Sequence, residues 1–375
     1  MATAAAVLTL PQAAFALAAP DPVKKYPPKV VDLVERSLII DMLAPLKLDF
    51  TPAAYSGRLS DADAAMFRSS GITGFHNSIG VGGADAHEDA LSFIAAWSGF
   101  VGRNAEVFSL VGMADDIDRA KAKRRIAVIM GLQNADEFRE AKDVKAFYEL
   151  GLRCAQLTYN SQNLIGSGST ERVDGGITDY GVQIIKAMNE AGMLIDVSHS
   201  GDRTTLEAIE LSPKPIAITH SNCRALNDHP RLKTDEAIRK LAAKGGVMGI
   251  TGVRNFVKDR EPTTVEDVVD HIDHVVKLVG IEHVGIGTDS DLMGYDHMPP
   301  DEYAKLKAGY KASYAFRDKI DTDGFNHPRK MYDLTDALIR RGYSDANIQA
   351  VLGGNFRRLL GSTWTVTEKK TGDKS

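Results

Sequence analysis

Short apolar runs alternate along this chain with longer amphipathic stretches. Each run is about five residues long and shows little polar alternation, which is typical of strands buried on both faces, as parallel strands are. The predicted strands are 38–41, 72–75, 126–130, 193–197, 215–219, 246–250 and 284–288. The predicted helices between them include 180–191, 204–211, 235–243 and 265–279, and two further helices are predicted within 332–360.

The repetition of strand and helix across most of the chain predicts a parallel α/β fold. A doubly wound sheet usually carries a glycine-rich phosphate loop after its first strand, whereas this first strand ends in Asp41-Met42-Leu43-Ala44-Pro45. The polar residues instead follow several different strands, as they do at the active-site face of a barrel. We therefore predict an α/β protein built as one (β/α)8 TIM-type barrel.

The two ends of the chain differ from the rest. Residues 1–19 are rich in Ala, Leu and Val, lack charge, and contain Ala16-Leu17-Ala18, an A-x-A pattern typical of signal-peptide cleavage sites. This signal segment predicts export to the periplasm or the cell exterior. Pro11-Gln12 interrupts its apolar stretch and no later segment is apolar for long enough, so no transmembrane span is expected. Residues 26–364 are predicted to form the barrel domain and 365–375 a polar tail.

Composition narrows the function classes. The chain is 43% hydrophobic and 25% charged, with a net charge of −5, which is typical of a globular protein with a large core. Nucleic-acid binding usually needs a basic stripe, and none is present. The two cysteines, Cys154 and Cys223, form no CxxC pair, which excludes a thiolate zinc cage and a thioredoxin-type motif. We favour two buried free thiols over a disulfide between them.

Three predicted strand ends carry residues suited to chemistry. His199 follows one strand, His220 ends the next, and Asp289 follows the last. Neutral imidazoles bind zinc and similar metals well, and an aspartate can move a proton between a water and a leaving group. A single histidine at a strand end is more often structural, but three such residues in one parallel fold favour a site.

Other polar residues are weaker candidates for the same site. Arg231 lies in the loop after His220, where its guanidinium could pair bidentately with a substrate carboxylate or could form an ordinary salt bridge. His76 also ends a predicted strand, and His87 lies nearby in the sequence. Both histidines are more readily explained as structural residues.

The same segments resemble the membrane (renal) dipeptidase family of zinc hydrolases over roughly residues 31–364. The resemblance is carried by Asp196-Val197-Ser198-His199, Thr219-His220-Ser221-Asn222-Cys223-Arg224-Ala225, His229-Pro230-Arg231, His283-Val284-Gly285-Ile286-Gly287-Thr288-Asp289 and Leu352-Gly353-Gly354-Asn355-Phe356. It implies a (β/α)8 barrel that cleaves dipeptides with a free carboxylate, using two zinc ions bridged by a carboxylate and a water. It also implies a homodimer, since family members often dimerise.

Carried over by position, the resemblance assigns four roles. His199 and His220 correspond to the ligands of the second zinc. Arg231 corresponds to the clamp for the substrate carboxylate, and Asp289 to the acid/base residue. Tyr159 and Asn160, in the segment Leu157-Thr158-Tyr159-Asn160, are expected to contact substrate.

The remaining catalytic positions depart from the family. Leu43 and Pro45 stand where the family has an H-x-D pair that binds the first zinc, Gln133 stands for the bridging Glu, and Tyr159 stands for a His that assists the oxyanion. A neutral amide bridges two cations poorly because it supplies no charge. The chain is therefore expected to hold zero or one zinc ion, on His199 and His220, and no organic cofactor.

Three functions fit these residues. The first is a dipeptidase-like hydrolase of dipeptides or related small amides with an altered site. The second is a metal-independent lyase or isomerase on the same barrel, in which Asp289, His199, His220 and Tyr159 transfer protons. The third is a non-catalytic protein that keeps only a ligand pocket for a small carboxylate-bearing molecule.

Overall fold

A parallel sheet lies at the centre of the computed structural model, which describes residues 26–365. Its strands are β1 (Ile40–Asp41), β2 (Gly74–Ile79), β3 (Phe108–Leu110), β4 (Ile126–Leu132), β5 (Leu152–Gln156), β6 (Leu194–Asp196), β7 (Ala217–Ser221), β8 (Val247–Ile250) and β9 (Val284–Ile286). All strand pairs of this sheet are parallel, in the order β1-β2-β4-β5-β6-β7-β8-β9, and β3 pairs with β4 outside this path. The eight strands of the path confirm the predicted barrel.

Main-chain hydrogen bonds close the barrel between β9 and β1. The Met42 N–H donates to the Ile286 carbonyl over 2.7 Å, and the Asp289 N–H donates to the Leu43 carbonyl over 2.9 Å. The first and last strands therefore meet at their carboxyl ends, where the chain places Asp289 beside the residues that follow β1.

Helices surround the barrel on its outer side. They are α1 (Pro28–Arg36), α2 (Asp61–Ser69), α3 (Ala86–Arg103), α4 (Ala114–Ala122), α5 (Ala141–Glu149), α6 (Asp179–Ala191), α7 (Asp202–Leu211), α8 (Asp235–Ala243), α9 (Arg254–Val257), α10 (Val265–Val279), α11 (Pro300–Ala308), α12 (Lys330–Arg340), α13 (Asp345–Gln349) and α14 (Asn355–Thr363). Short 3-10 turns occupy Pro52–Tyr55, Ile281–His283, Tyr295–His297 and Ala312–Tyr314, and a π-helical segment, Ala350–Gly354, joins α13 to α14.

Two helices show why their bounds were readable from sequence. At α8 the Thr234 hydroxyl accepts a hydrogen bond from the Ala237 N–H. At α10 Thr264 and Asp267 form a reciprocal capping box. Such caps satisfy the free N–H groups of the first turn, and the predicted spans 235–243 and 265–279 are confirmed.

The two ends of the barrel differ in polarity. Residues near the beginnings of the strands, such as Ile40, Leu194 and Val247, are fully buried and form one apolar cluster with Phe356 and Leu359 of α14. The carboxyl ends carry buried polar side chains instead. The chemistry of the molecule is therefore confined to the carboxyl face, as in other barrels of this kind.

Several expectations concern features away from the barrel centre. Cys154 and Cys223 are both free and buried, which confirms the predicted thiols. The signal segment 1–19 lies outside the described residues, and so does the tail apart from Thr365. Among residues 26–365, every helix is too short or too polar to cross a bilayer.

Candidate active site at the carboxyl face of the barrel

The structure brings His199 and His220 into direct contact. His220 lies within β7, His199 lies three positions after the end of β6, and both are buried. Their Nε2 atoms are 2.9 Å apart. The two histidines that the sequence places at neighbouring strand ends therefore form a contacting pair of imidazoles.

Hydrogen bonds on the far side of each ring define where the ring protons lie. His199 Nδ1 is 2.7 Å from the amide oxygen of Asn160, which can only accept, so Nδ1 carries the proton. His220 Nδ1 is 2.8 Å from Thr219 Oγ1. Because the Thr219 hydroxyl donates its own proton to Asp196 over 2.6 Å, its oxygen accepts from His220 Nδ1. Both Nε2 atoms therefore present lone pairs to each other, an arrangement that binds a proton or a metal cation.

Burial favours the neutral form of both imidazoles. Desolvation lowers the pKa of His199 and of His220 well below the usual value, and the guanidinium of Arg231 lowers both further. Neutral imidazole is the form that accepts a proton or coordinates a metal.

Asp289 occupies a sharp turn just after β9. Its φ angle is 59°, in the left-handed region, and its backbone N–H is held by the Leu43 carbonyl. Burial raises the pKa of its carboxyl to about 7; Arg231 opposes this rise, whereas Asp41 and Asp196 add to it. A carboxyl that titrates near neutral pH is suited to acid/base catalysis.

A cavity of about 320 Å³ opens above the carboxyl ends of the strands, and Asp289 lies on its wall. The wall also contains Pro45, Gln133 and Tyr159, three of the positions expected from the sequence to depart from the dipeptidase pattern. Six further aromatic rings line it, namely Phe50, Phe256, Tyr295, Tyr310, Tyr314 and Phe316. The cavity has the size and apolar character of a small-molecule site.

Tyr159 separates the cavity from the histidine pair. Its ring stacks on that of His199, with centroids 4.2 Å apart and an interplanar angle of 19°. Its hydroxyl oxygen is 2.8 Å from that of Tyr310. Burial raises the pKa of Tyr159 well above its usual value, so the phenol stays protonated and can donate.

Asn160 and Arg231 contact the histidine pair and its strands. The Asn160 amide oxygen holds His199, and Asn160 is outside the cavity lining, so its expected contact with substrate stays a prediction. Arg231 is fully buried; its Nη1 donates to the Ser198 carbonyl and its Nη2 to the His220 carbonyl over 2.9 Å. It ties the two histidine-bearing strands together, and its role as a carboxylate clamp stays a prediction.

Two buried carboxylates that were not predicted from the sequence hold the strand-end residues of the site through hydrogen bonds. Asp196 on β6 accepts hydrogen bonds from the backbone N–H and hydroxyl groups of Ser198 and Thr219. Asp41 on β1 accepts in the same way from the backbone N–H and hydroxyl of Thr288. The sequence carries a signal for both carboxylates. Asp196 and Asp41 each lie at a strand end, and the threonine that each one binds comes directly before His220 or Asp289.

The weaker histidine candidates contact main-chain carbonyls, and His76 lies near enough to His220 to lower its pKa. The His76 ring is buried inside the barrel, where Nδ1 donates to the Met42 carbonyl over 2.6 Å and Nε2 has no partner among the described residues. His87 contacts the main-chain carbonyl of Glu137, 2.8 Å from its Nδ1. Neither lines the cavity.

The residues present do not fit a two-zinc centre. Leu43 is fully buried and Pro45 lies on the cavity wall, and neither side chain has a ligand atom. The Gln133 amide nitrogen faces the Ser78 carbonyl at 3.4 Å. Within residues 26–365, His, Cys, Asp and Glu side chains form no group of three that could hold a metal. The histidine pair alone is chemically suited to a cation, with two donors.

Comparison with known proteins points to one family. Residues 30–305 match the membrane dipeptidase family, peptidase family M19. Dipeptidase verJ of Clonostachys rogersoniana is 31% identical over 255 residues, which are 67% of this chain and 59% of verJ. The chain likewise spans 56% of dipeptidase tcpJ of Claviceps purpurea, at 27% identity over 69% of this chain.

A solved structure agrees over nearly the whole fold. An amidohydrolase from Pseudomonas aeruginosa superposes with a TM-score of 0.78 at 29% identity, covering 89% of this chain and 99% of that one.

Proposed function

Because this chain belongs to the membrane dipeptidase family, peptidase family M19, we propose that it is a hydrolase of dipeptides or related small amides. The observation that carries the proposal is the shared cavity wall of Asp289 and Tyr159 at the carboxyl face of the barrel. These two residues supply a proton-transfer group and a hydrogen-bond donor at one surface, and amide hydrolysis needs both.

Asp289 is the proposed acid/base group. Its carboxyl titrates near pH 7, so the carboxylate can take a proton from an attacking water, and the resulting acid can return it to the leaving amine nitrogen. The backbone hydrogen bond to Leu43 fixes the residue in its turn, which keeps the carboxyl on the cavity wall.

The phenols of Tyr159 and Tyr310 are the proposed donors to the substrate carbonyl oxygen. Their hydroxyl oxygens are 2.8 Å apart, so one of the two hydroxyl protons lies between these oxygens in a hydrogen bond. The other remains available for a bound ligand. A donor fixed before the reaction stabilises the negative charge that develops on the carbonyl oxygen.

We further propose that any metal is a single zinc ion. His199 and His220 would hold it, and such an ion would supply Lewis-acid chemistry to a carbonyl group that reaches it. Because the Tyr159 ring stacks on His199 and separates the pair from the cavity, that ring would have to move before a substrate carbonyl could do so. Asn160 on one side and Thr219 with Asp196 on the other support the outer ring nitrogens, as outer groups do around metal-binding histidines.

Two further expectations stay proposals. The composition of residues 1–19 and the Ala16-Leu17-Ala18 pattern support export to the periplasm or the cell exterior. The family resemblance supports a homodimer. Mass spectrometry of the N-terminus after expression with cell fractionation, and light scattering of the purified protein, test these two points.

The main proposal is tested by assaying the purified chain against a dipeptide panel, with zinc measured by mass spectrometry on the same sample. We expect turnover and at most one equivalent of zinc, with turnover lost in Asp289→Asn and kept in Asp301→Asn, an exposed carboxylate at the start of α11. No turnover from zinc-supplemented protein would overturn the hydrolase. Two bound equivalents would overturn the altered site.

A further inference from the structure

One side of the cavity is built by a segment that the barrel itself does not require. Residues 295–320 follow β9 and contribute Tyr295, Leu306, Tyr310, Tyr314, Phe316 and Ile320 to the wall. The family match ends at residue 305. Most of this aromatic wall therefore lies after the residues that the family model matches.

The segment is firmly attached to the barrel. The Tyr314 carbonyl accepts hydrogen bonds from the Asn255 amide over 2.7 Å and from His229 Nε2 over 3.1 Å. The backbone N–H of Arg254 donates to the Ile320 carbonyl over 2.7 Å. All three donor residues are buried, so the wall is held in one place before a ligand arrives.

A tight turn puts two rings on the same wall. Ala315 has a φ of 52°, in the left-handed region that residues with a side chain seldom adopt. Tyr314 before it and Phe316 after it both line the cavity, and their ring centroids are 4.9 Å apart. Tyr310 lies 5.1 Å from Phe316 in an edge-to-face arrangement. The three rings form a continuous aromatic surface.

The wall carries little charge. Among residues 26–365, the side chains that line the cavity include no lysine, arginine or histidine, and Asp289 supplies the one carboxyl group there. The other polar groups there are phenols and the Gln133 amide, which are neutral. A charged substrate side chain would lose its hydration without gaining a partner, whereas an aromatic one would pack against rings.

We propose that this cavity selects amides that carry a large apolar or aromatic side chain next to the scissile bond, and that residues 310–316 determine this preference. The inference deepens the proposed hydrolase function and rests on it for the identity of the scissile bond. The apolar class of ligand follows from the aromatic rings and from the lack of basic side chains among the described residues of the wall. Small substrate residues such as Gly or Ala would leave the aromatic surface unfilled.

Calorimetry separates the preference from catalysis. Phe-Phe and Ala-Ala dipeptides are titrated into the Asp289→Asn protein, alone and combined with Phe316→Ala, Phe316→Leu or Phe93→Ala. Phe93 is the matched control, since it is half-buried on α3, stacks near Trp97 and is not on the cavity wall.

We expect Phe-Phe to bind at least about tenfold more tightly than Ala-Ala, and Phe316→Ala to remove most of that preference. Phe316→Leu should keep part of it and covers the case in which Phe316→Ala fails to fold, and Phe93→Ala should keep all of it. Equal binding of the two dipeptides, or the same loss in Phe93→Ala, would overturn the inference. Selective binding without any hydrolysis by the unmutated protein would instead overturn the proposed function and leave the preference standing.

Discussion

The Nε2 atoms of His199 and His220 face each other at 2.9 Å, while the Nδ1 atoms of both rings point away into hydrogen bonds with Asn160 and Thr219. Two lone pairs at this distance repel unless a cation lies between them or a ring changes its tautomer. The surrounding side chains favour the converging arrangement, because Asp196 draws the Thr219 proton away from His220. The two lone pairs therefore converge on one point, as the proposed zinc site requires.

The first prediction removes the support for His220. Thr219→Val keeps the shape of the side chain but deletes the hydroxyl that accepts from His220 Nδ1 and donates to Asp196. We expect zinc affinity to fall about 10- to 100-fold, as it does when an outer hydrogen bond to a metal-binding histidine is lost. Competition with a chromogenic chelator measures the affinity.

Thr335→Val is the control for this change. Thr335 is also fully buried, but its hydroxyl bonds to the Met331 carbonyl within α12. Thr335→Val should lose about 1 kcal/mol of stability. Thr219→Val should lose about 2–3 kcal/mol, because it removes a bond to a buried carboxylate and leaves the His220 ring N–H without an acceptor. Only Thr219→Val should lose zinc affinity. An unchanged affinity in Thr219→Val would show that the threonine does not support the ring.

The second prediction concerns the pH dependence of turnover. Only the carboxylate form of Asp289 can accept a proton from water, and burial raises its pKa to about 7. We expect kcat/KM to rise with pH through an inflection near that value and then to level off. Asp289→Asn should lower turnover by about 10²- to 10⁴-fold.

Rate profiles of the unmutated protein and of Asp301→Asn provide the comparison. Asp301 is exposed, so its replacement should leave both the inflection and the maximal rate in place. A profile that stays flat across neutral pH would remove Asp289 from the role of base.

The strand-end residues of this site were predictable because parallel strands deliver their carboxyl ends to one face. His199, His220 and Asp289 each follow a strong apolar run, and the runs at 126–130 and 284–288 overlap β4 and β9. β5 was missed because Arg153 interrupts its apolar pattern, and β3 because three residues give no pattern.

The aromatic wall was not predictable in the same way. Tyr159 and Tyr310 meet through their hydroxyls although 151 positions separate them. Periodicity reports neighbours along one element, and it carries no information about which loop covers which strand end. The Asp196–Thr219 contact is of the same kind, since it depends on two strands lying side by side.

The third prediction concerns how the raised pKa of Asp289 changes the stability of the fold with pH. Its carboxyl has a pKa of about 7 when folded and an ordinary value of 3.8. The folded protein therefore holds this proton more tightly, and the associated stability is complete below the unfolded pKa and is lost as pH rises through about 7. Asp289→Asn, which stays neutral and tolerates the left-handed φ, should unfold at a higher temperature than the unmutated protein above neutral pH.

The expected gain is on the order of 4 kcal/mol at about pH 8 and should disappear near pH 4. Thermal melts at the two pH values measure it, with Asp301→Asn as the exposed counterpart that should shift at neither. A destabilised Asp289→Asn protein at alkaline pH would mean that the buried carboxylate is stabilised by its surroundings and that its pKa is not raised.

The fourth prediction restores the missing metal ligands. Leu43→His, Pro45→Asp and Gln133→Glu together supply an imidazole and two carboxylates at positions where the chain has none, and Pro45 and Gln133 already lie on the cavity wall. Since carboxylates offset the charge of two neighbouring cations and an amide does not, bound zinc should rise from at most one equivalent to about two. The matched control carries Leu43→His and Pro45→Asp with Gln133 kept, and without the bridging charge it should stay at or near one equivalent.

Zinc content by mass spectrometry, read together with the melting temperature, distinguishes a filled second site from misfolding. Two equivalents in the control would show that Gln133 is not what limits the site, and one equivalent in a well-folded triple variant would show that the barrel around Leu43 no longer presents the geometry of a dinuclear centre.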